Sequence, residues 1–102
     1  TGVQTCALPI CSQTQNIPVS STKVLHGHLL GNAGGMELLA CLAVLNQNKV
    51  IPNWGLSNPD SNIPTELNLP TKIIDKNQDI VLNNSFAFGG TNVVLALAKV
   101  DQ

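Results

Sequence analysis

Two apolar segments near the end of the chain predict a pair of β-strands. The stretch "DIVLNNSF" begins with an apolar run, and "TNVVLALAKV" is apolar over most of its length. Both runs are nearly continuous instead of alternating, which is typical of strands that are covered on both faces. Between them, "NNSFAFGGTN" (83–92) holds both phenylalanines of the chain and a double glycine. We expect a tight reversal there, because glycine supplies the backbone freedom that such a turn needs.

The segment "MELLACLAVLNQ" (36–47) predicts a helix. It is made of strong helix formers, is apolar almost all round, and has Glu37 as its one charged residue. A helix without a polar face has to be buried on all sides. The polar stretch from Asn46 to Asn48 predicts where the helix ends. A buried helix together with doubly covered strands indicates a layered protein of the α/β class.

The remaining segments are less regular. "NIPVSSTKVL" (16–25) predicts a short strand followed by a polar loop, and "HGHLLGNAGG" (26–35) is rich in glycine. The connection "VIPNWGLSNPDSNIPTELNLP" (50–70) contains too much proline and asparagine for a core element. We expect it to lie over a surface, held by its large apolar side chains: Trp54, Leu56, Ile63, Leu67 and Leu69. The helix can shield one face of the strands, and we expect sequence upstream of this chain to cover the other.

The composition indicates a piece of a larger protein interior. Of the 102 residues, 43% are hydrophobic and only 11% are charged, where ~25% is usual. A small free-standing domain needs more charge than this to cover its surface. The net charge of −1, with five scattered Lys and Arg residues, gives no binding surface for nucleic acid or for an anionic membrane. No apolar run approaches the ~20 residues of a membrane span and no signal peptide is visible, so the expected location is the cytoplasm.

The first ten residues, "TGVQTCALPI", do not resemble protein sequence. They match, codon for codon, the in-frame translation of a common sequencing-library adapter, ACT GGA GTT CAG ACG TGT GCT CTT CCG ATC. We therefore expect residues 1–10 to be a non-native scar, residues 11–102 to be the credible protein, and the gene to extend upstream. The alternative is a genuine disordered arm. Cys6 then lies in the scar and Cys11 at its edge, and the cysteines show no spacing typical of a disulfide framework or a zinc site.

Four polar side chains stand out beside this apolar sequence: Lys23, His26, His28 and Glu37. Since Lys and Glu are rarely buried unless they are paired, an ion pair between Lys23 and Glu37 is a simple way to bury both. Alternatively, Glu37 is only an acidic residue that is favourable at a helix N-terminus. The two histidines have no evident third partner for a metal, and a lone histidine is more often structural than catalytic. The glycines lack the Lys-Ser/Thr pair of a phosphate-binding loop, which favours close backbone approach as their role.

Two motifs together carry a family resemblance. "VSSTKVLHGHLLGNAGGME" with "NNSFAFGGTN" resembles the C-terminal part of the β-ketoacyl-acyl carrier protein synthases, in particular those of the synthase II type, and the likeness spans about Ile17 to Val100. The resemblance implies an α/β protein with a thiolase-like layered α-β-α fold, of which this fragment holds an incomplete C-terminal part. It also implies decarboxylative Claisen condensation. A malonyl thioester on acyl carrier protein loses carbon dioxide, and its carbanion attacks an acyl group carried on a cysteine.

The resemblance implies roles for individual residues as well. His28 matches the second histidine of the family's Cys-His-His set, Lys23 matches the lysine before it, and Glu37 matches the glutamate that follows the glycines. Phe88 matches the phenylalanine whose backbone N–H helps form an oxyanion hole and whose ring gates the acyl pocket. The rest of that loop is expected to bind substrate: Phe86, Gly89, Gly90 and Thr91. No cofactor or metal is implied; the expected partners are acyl carrier protein and, for the full-length protein, a second copy in a homodimer.

The chain departs from the family pattern in several places. It has no cysteine in a nucleophile context and lacks the first histidine, so we expect this chain alone to be inactive. His26 stands where the family usually has a small or hydroxyl residue, Asn32 replaces a typical alanine, and Trp54 replaces a commoner β-branched residue. Three alternatives stay open: a ketosynthase of a secondary lipid or polyketide pathway, a non-catalytic subunit that determines chain length, and an α/β fragment without a function of its own.

Overall fold

The computed structural model describes residues 16–100, which form one long helix, one helix of a single turn and two small antiparallel sheets. The helices are α1 (Lys23–His26) and α2 (Ala33–Gln47), and the strands are β1 (Lys49–Val50), β2 (Ile74–Asp75), β3 (Ile80–Phe86) and β4 (Asn92–Ala98). Two 3-10 turns lie at Leu30–Asn32 and Phe88–Gly90. β1 pairs with β2, and β3 pairs with β4. The combination of a helix packed on a sheet confirms the expected α/β class. The predicted scar and the cysteines at positions 6 and 11 lie outside the described residues.

The hairpin predicted from the two apolar segments is confirmed. β3 and β4 are paired along their whole length. Beyond the ladder, the Ala87 N–H donates to the Thr91 carbonyl at 2.9 Å and closes the turn. Within the turn, Gly89 and Gly90 have φ values of +82° and +83°, in the left-handed region that side chains disfavour. A Cβ at either glycine would meet nothing within 4 Å, so the turn needs these glycines for their backbone angles and not for space.

Helix α2 begins earlier than the sequence predicts and ends as predicted. It starts at Ala33 instead of Met36, so the double glycine belongs to its first turn. Asn48 follows the last helical residue with left-handed backbone angles (φ +53°, ψ +44°), which is a common way to end a helix. The side-chain oxygen of Asn48 also accepts a hydrogen bond from Nζ of Lys99, which directly follows β4. The C-terminal end of α2 is therefore tied to the open end of the hairpin.

The extent of burial differs from the sequence expectation for α2 and agrees with it for the hairpin, of which one face is covered. The side of β3 that carries Asn83 and Ser85 faces α2, and a Cβ at Gly34 would lie in van der Waals contact with Ser85 Oγ at 3.7 Å. The opposite face of the hairpin is bare, and α2 itself is not buried on all sides. The exposed fractions are 63% for Ile80 and 60% for Leu39. The reason is that residues 16–100 supply one long helix, which can cover one face of one hairpin.

The short strand predicted in residues 16–25 is wrong. The Val19 N–H donates to the Asn68 carbonyl at 2.9 Å, but the residues around Asn68 are irregular and form no strand that could pair with this segment. The segment continues into one helical turn, α1, where a loop was expected. Conversely, the sequence pattern did not reveal β1 and β2, because strands of two residues are too short to show any periodicity.

The long connection between β1 and β2 is held in place mainly by Asn53. The side-chain oxygen of Asn53 accepts the Ser21 N–H at 3.0 Å, and its amide group donates to the carbonyls of Val19 at 2.9 Å and Pro70 at 3.3 Å. Pro52, the preceding residue, is completely buried. One side chain therefore joins the segment before α1 to both ends of the connection.

The apolar residues expected to anchor this connection differ in their burial. Leu67 is buried, whereas Trp54 is 45% exposed. Trp54 lines an open groove of about 390 Å³ beside α1, and Val24 of α1 lies on the same groove. The connection is therefore attached through Pro52, Asn53 and Leu67 more than through its one tryptophan.

Replacing Asn53 by alanine is expected to loosen the segment before α1. The substitution removes three side-chain hydrogen bonds and leaves the Ser21 N–H without its partner. We expect the free energy of local opening at Ser21 to fall by about 1–3 kcal/mol, which hydrogen exchange of the Ser21 amide measures. Asn62→Ala is the control, because the Asn62 side chain donates to Asp60, two residues away, and has no recorded bond to Ser21 or its neighbours within residues 16–100. Equal exchange at Ser21 in both variants would contradict the assignment.

Candidate active site

Lys23 and Glu37 form an ion pair, which confirms the contact predicted from the sequence. Nζ of Lys23 donates to Oε1 of Glu37, and the Glu37 side chain is only 14% exposed. The other carboxylate oxygen of Glu37 accepts from the hydroxyl of Ser85 at 3.5 Å. Because α2 starts at Ala33, Glu37 lies beyond its first turn, so the alternative role at a helix N-terminus does not apply. The carboxylate instead joins α1, α2 and β3.

His28 lies at the surface between α1 and the first 3-10 turn. Its Nδ1 accepts a hydrogen bond from the backbone N–H of Leu30 at 3.1 Å. A ring nitrogen that accepts a hydrogen bond carries no proton, so the neutral imidazole carries its proton on Nε2. Leu30 has a φ of +52°, an uncommon angle for a residue with a side chain, and this angle is part of the turn that brings its N–H back to the ring. His28 therefore presents Nε2–H as a donor.

The glycine-rich turn of the hairpin projects from the strand that α2 holds. Ser85, the partner of Glu37, directly precedes Phe86, and the turn follows. The Phe88 ring at the tip is fully exposed, whereas Phe86 is 42% exposed. Thr91 closes the base of the turn through its carbonyl. The structure therefore links the Lys23–Glu37 pair to the start of this turn through one hydroxyl group.

Sequence reasoning did not identify every residue at the site. Ser85 and Asn83 were not singled out, yet both face α2, and Asn83 is buried with its Nδ2 atom unpaired among the described residues. The polar run from Asn83 to Ser85 interrupts an apolar strand, but three consecutive polar residues do not show which of them face the helix. The role of Leu30 was invisible, because it depends on a backbone N–H and not on the side chain.

Within residues 16–100, no group of three or more His, Cys, Asp or Glu side chains is placed to hold a metal ion. The described part of the chain also contains no helix that is long and apolar enough to cross a membrane.

Cys41 lies on α2, one helical turn after Glu37. Burial raises the pKa of the Cys41 thiol above its ordinary value, and the negative charge of Glu37 raises this pKa further. Both effects disfavour the thiolate, which is the nucleophilic form of cysteine. Cys41 is therefore not an activated nucleophile, in agreement with its position in the middle of a helix.

Glu37→Gln is expected to speed alkylation of Cys41 at about pH 8, just below the ordinary thiol pKa of ~8.5. A raised pKa leaves less thiolate at a given pH, so removal of the carboxylate charge lowers the pKa and increases the thiolate fraction. The midpoint of the pH–rate profile should move to lower pH. Iodoacetamide labelling followed by peptide mass spectrometry measures this at Cys41 alone. Asp75→Asn, which removes a carboxylate that does not act on Cys41, should leave the profile in place, and a Glu37→Gln midpoint at equal or higher pH would refute the assignment.

Comparisons with known proteins point to one family. Residues 4–57 match the family model described as "Beta-ketoacyl synthase, C-terminal domain". The chain is 44% identical over 84 residues to 3-oxoacyl-[acyl-carrier-protein] synthase 2 of Synechocystis, a match that covers 82% of the chain and 20% of the relative. It is 40% identical over 93 residues to the chloroplastic 3-oxoacyl-[acyl-carrier-protein] synthase II of Arabidopsis thaliana, covering 90% and 17%.

A third relative has a different kind of name. The chain is 33% identical over 87 residues to nodulation protein E of Rhizobium meliloti, covering 83% of the chain and 21% of the relative. The chain thus spans about a fifth of the length of the curated relatives it matches. The family match begins inside residues 1–10, and the adapter origin of that segment stays a prediction.

Proposed function

The chain belongs to the β-ketoacyl synthase family, as part of its C-terminal domain, and from this premise we propose that it is a segment of a synthase II-like condensing enzyme. The complete enzyme elongates acyl chains of fatty acids by decarboxylative Claisen condensation of an acyl-enzyme thioester with malonyl-acyl carrier protein. The observation that carries this proposal is the hydrogen bond from Leu30 to His28, because in the neutral form of this exposed ring it puts the proton on Nε2 as a donor. Such a donor is what the decarboxylation step requires.

In the proposed reaction, His28 stabilises the charge that develops on malonate. The electron pair of the bond to the departing carbon dioxide moves into an enolate, and Nε2–H of His28 donates to the thioester oxygen that becomes negative. A preorganised donor of this kind typically contributes about 3–4 kcal/mol to transition-state stabilisation. The enolate carbon then attacks the acyl thioester, and the cysteine leaves as a thiolate. That cysteine belongs to the part of the enzyme outside this chain, so the chain alone is expected to be inactive.

Lys23 and Glu37 position the histidine in this proposal. Lys23 opens α1, Glu37 lies on α2, and the turn that carries His28 lies between the two helices. The ion pair therefore fixes both ends of that turn. Glu37 also accepts a hydrogen bond from Ser85 of β3, the strand that leads into the phenylalanine turn. The same carboxylate therefore helps to fix the position of His28 relative to that turn.

The phenylalanine turn completes the proposed site. The backbone N–H of Phe88 is assigned to the oxyanion hole of the acyl thioester, and its ring is assigned to gating of the acyl pocket. The exposed ring and the positive φ angles of Gly89 and Gly90 support a turn that can move. The residues proposed to line the substrate path beside Phe88 are Phe86, Gly89, Gly90 and Thr91.

The proposed partners are supported by the names of the relatives, and the location is proposed from the sequence. Acyl carrier protein is the proposed partner, since the named relatives are 3-oxoacyl-[acyl-carrier-protein] synthases. A homodimer in the cytoplasm is proposed for the complete enzyme, and none of the proposed steps needs a cofactor. The second candidate is a ketosynthase of a secondary lipid or polyketide pathway, since one relative, nodulation protein E, is not named as a 3-oxoacyl-[acyl-carrier-protein] synthase.

The test is condensation by the complete polypeptide that carries this chain. With acyl- and malonyl-acyl carrier protein, we expect carbon dioxide release and a 3-oxoacyl product, which mass spectrometry of the carrier protein detects. The length of the product separates general fatty acid elongation from a specialised pathway. A complete polypeptide that neither decarboxylates malonyl-acyl carrier protein nor accepts an acyl group would exclude both and favour a non-catalytic subunit.

A further inference from the structure

We propose that His26 is a positioning residue for His28, an inference that builds on the proposed function and deepens it. The family resemblance places a small or hydroxyl residue at position 26, so the imidazole is a feature of this chain that the proposed chemistry leaves without a role. The ring belongs to α1 and lies between Thr22, which directly precedes Lys23, and Gly27, which directly precedes His28.

The half-buried His26 ring makes two hydrogen bonds that define the tautomer of the neutral ring. Its Nδ1 lies 2.8 Å from the carbonyl oxygen of Gly27, and its Nε2 lies 2.9 Å from the hydroxyl oxygen of Thr22. A carbonyl oxygen can only accept, so Nδ1 carries the proton and donates it. In the neutral ring, Nε2 then accepts from the Thr22 hydroxyl. His26 and His28 are therefore opposite tautomers that lie two residues apart.

The bond to Gly27 acts on His28 through the backbone. The Gly27 carbonyl belongs to the peptide unit that leads into His28, and Gly27 has a φ of +75°. The N–H of Gly27 is already used, because it donates to the Lys23 carbonyl at 2.7 Å and closes α1. With both of its polar groups occupied, the Gly27 backbone has one orientation. The peptide plane between Gly27 and His28 is therefore fixed, and the Leu30 N–H holds the His28 ring from the other side.

The bond to Thr22 connects this arrangement to the rest of the protein. Thr22 stands at the N-cap of α1 but makes no side-chain capping bond, so its hydroxyl is available to His26. The residue before it, Ser21, is held by Asn53 at 3.0 Å. The support for His28 therefore runs from the long connection, through Ser21 and Thr22, to the His26 ring.

The test uses three variants of the complete polypeptide. His26→Ala removes both bonds, and Thr22→Val removes only the hydroxyl bond at similar side-chain volume. His26→Asn places an amide N–H near the position of Nδ1 and keeps a donor for the Gly27 carbonyl. We measure decarboxylation of malonyl-acyl carrier protein, acyl loading of the cysteine, and the ¹⁵N shifts of the His28 ring, which report its tautomer.

We expect His26→Ala to slow decarboxylation about tenfold, the effect of one lost hydrogen bond, while acyl loading changes less than about twofold. The ¹⁵N shifts of His28 should move towards a mixture of tautomers. His26→Asn should restore most of the rate and the Nε2–H tautomer, and Thr22→Val should lie between the two.

Two results would overturn the positioning role. One is unchanged His28 shifts in His26→Ala; the other is an equal loss of both half-reactions that His26→Asn does not rescue, which would mean a purely structural role. Failure of the proposed function is a separate outcome, because it appears as an inactive wild-type polypeptide. In that case the ¹⁵N shifts still decide whether His26 sets the tautomer of His28.

Discussion

His28→Ala is expected to abolish decarboxylation of malonyl-acyl carrier protein in the complete enzyme while acyl loading of its cysteine stays largely intact. The substitution removes the Nε2–H donor that the Leu30 bond holds in place. Loss of one preorganised donor to a developing oxyanion typically lowers the rate by about 10²–10³-fold, because the donor acts on the transition state and not on substrate binding. This is the largest single effect that we expect from any residue of the chain.

The two half-reactions measure this effect separately. Carbon dioxide release from labelled malonyl-acyl carrier protein reports the decarboxylation, and mass spectrometry of the acylated enzyme reports the loading. The matched control is His26→Asn, the conservative change at the other histidine, which should keep most of the decarboxylation rate. An equal loss of both half-reactions in His28→Ala would count against its assigned role and favour a structural one.

Glu37→Gln is expected to weaken both the reaction and the local structure, whereas the equivalent change Asp75→Asn should do neither. The Glu37 carboxylate is largely buried between Lys23 and Ser85, whereas Asp75 is 85% exposed in its pair with Lys49. Removing one partner of a partly buried pair leaves a charge without compensation, which costs about 1–3 kcal/mol when the exposure of Lys23 is taken into account. An exposed pair contributes about 0–1 kcal/mol.

Urea unfolding of the complete polypeptide and its decarboxylation rate test this pair of variants. Lys23→Met alone and combined with Glu37→Gln completes a double-mutant cycle, in which the combined change should cost less than the sum of the two. Additive effects would show that the ion pair contributes no coupling energy. Equal losses in Glu37→Gln and Asp75→Asn would show that the position of the pair is unimportant.

The elements of the fold could be predicted where they are long enough to show a pattern. The apolar runs of β3 and β4 and the helix formers of α2 were sufficient, and the double glycine predicted the turn between the strands. The two-residue strands β1 and β2 have no periodicity to detect. Burial was predicted incorrectly for α2, because apolar composition shows what a segment requires and not which residues of the same chain supply it. The bare outer face of the hairpin, in contrast, agrees with the expectation that one helix shields only one face.

The site was predictable only in part, for a related reason. The scarcity of charge in an apolar sequence indicated that Lys23 and Glu37 need each other, and the ion pair confirms this. The hydroxyl of Ser85 and the N–H of Leu30 reach the site through strand register and a left-handed turn, neither of which side-chain composition reveals. The catalytic roles are implied by the family resemblance, because neither composition nor spacing distinguishes a catalytic histidine from a structural one.

The attachment of the hairpin to α2 has a mechanical consequence. Lys99 and Asn48 secure its open end and Ser85 and Glu37 secure it near the turn, whereas residues 87–91 lie beyond the last attachment. Two hydrogen bonds hold this turn: the Ala87 N–H donates to the Thr91 carbonyl at 2.9 Å, and Nδ2 of Asn92 donates to the Gly90 carbonyl at 3.4 Å. We expect rotation of the backbone at the base of the turn to move the Phe88 ring while the β3–β4 ladder stays intact. We therefore expect substitutions at residues 87–91 to change the rate at which the Phe88 ring moves without lowering the stability of the paired strands β3 and β4.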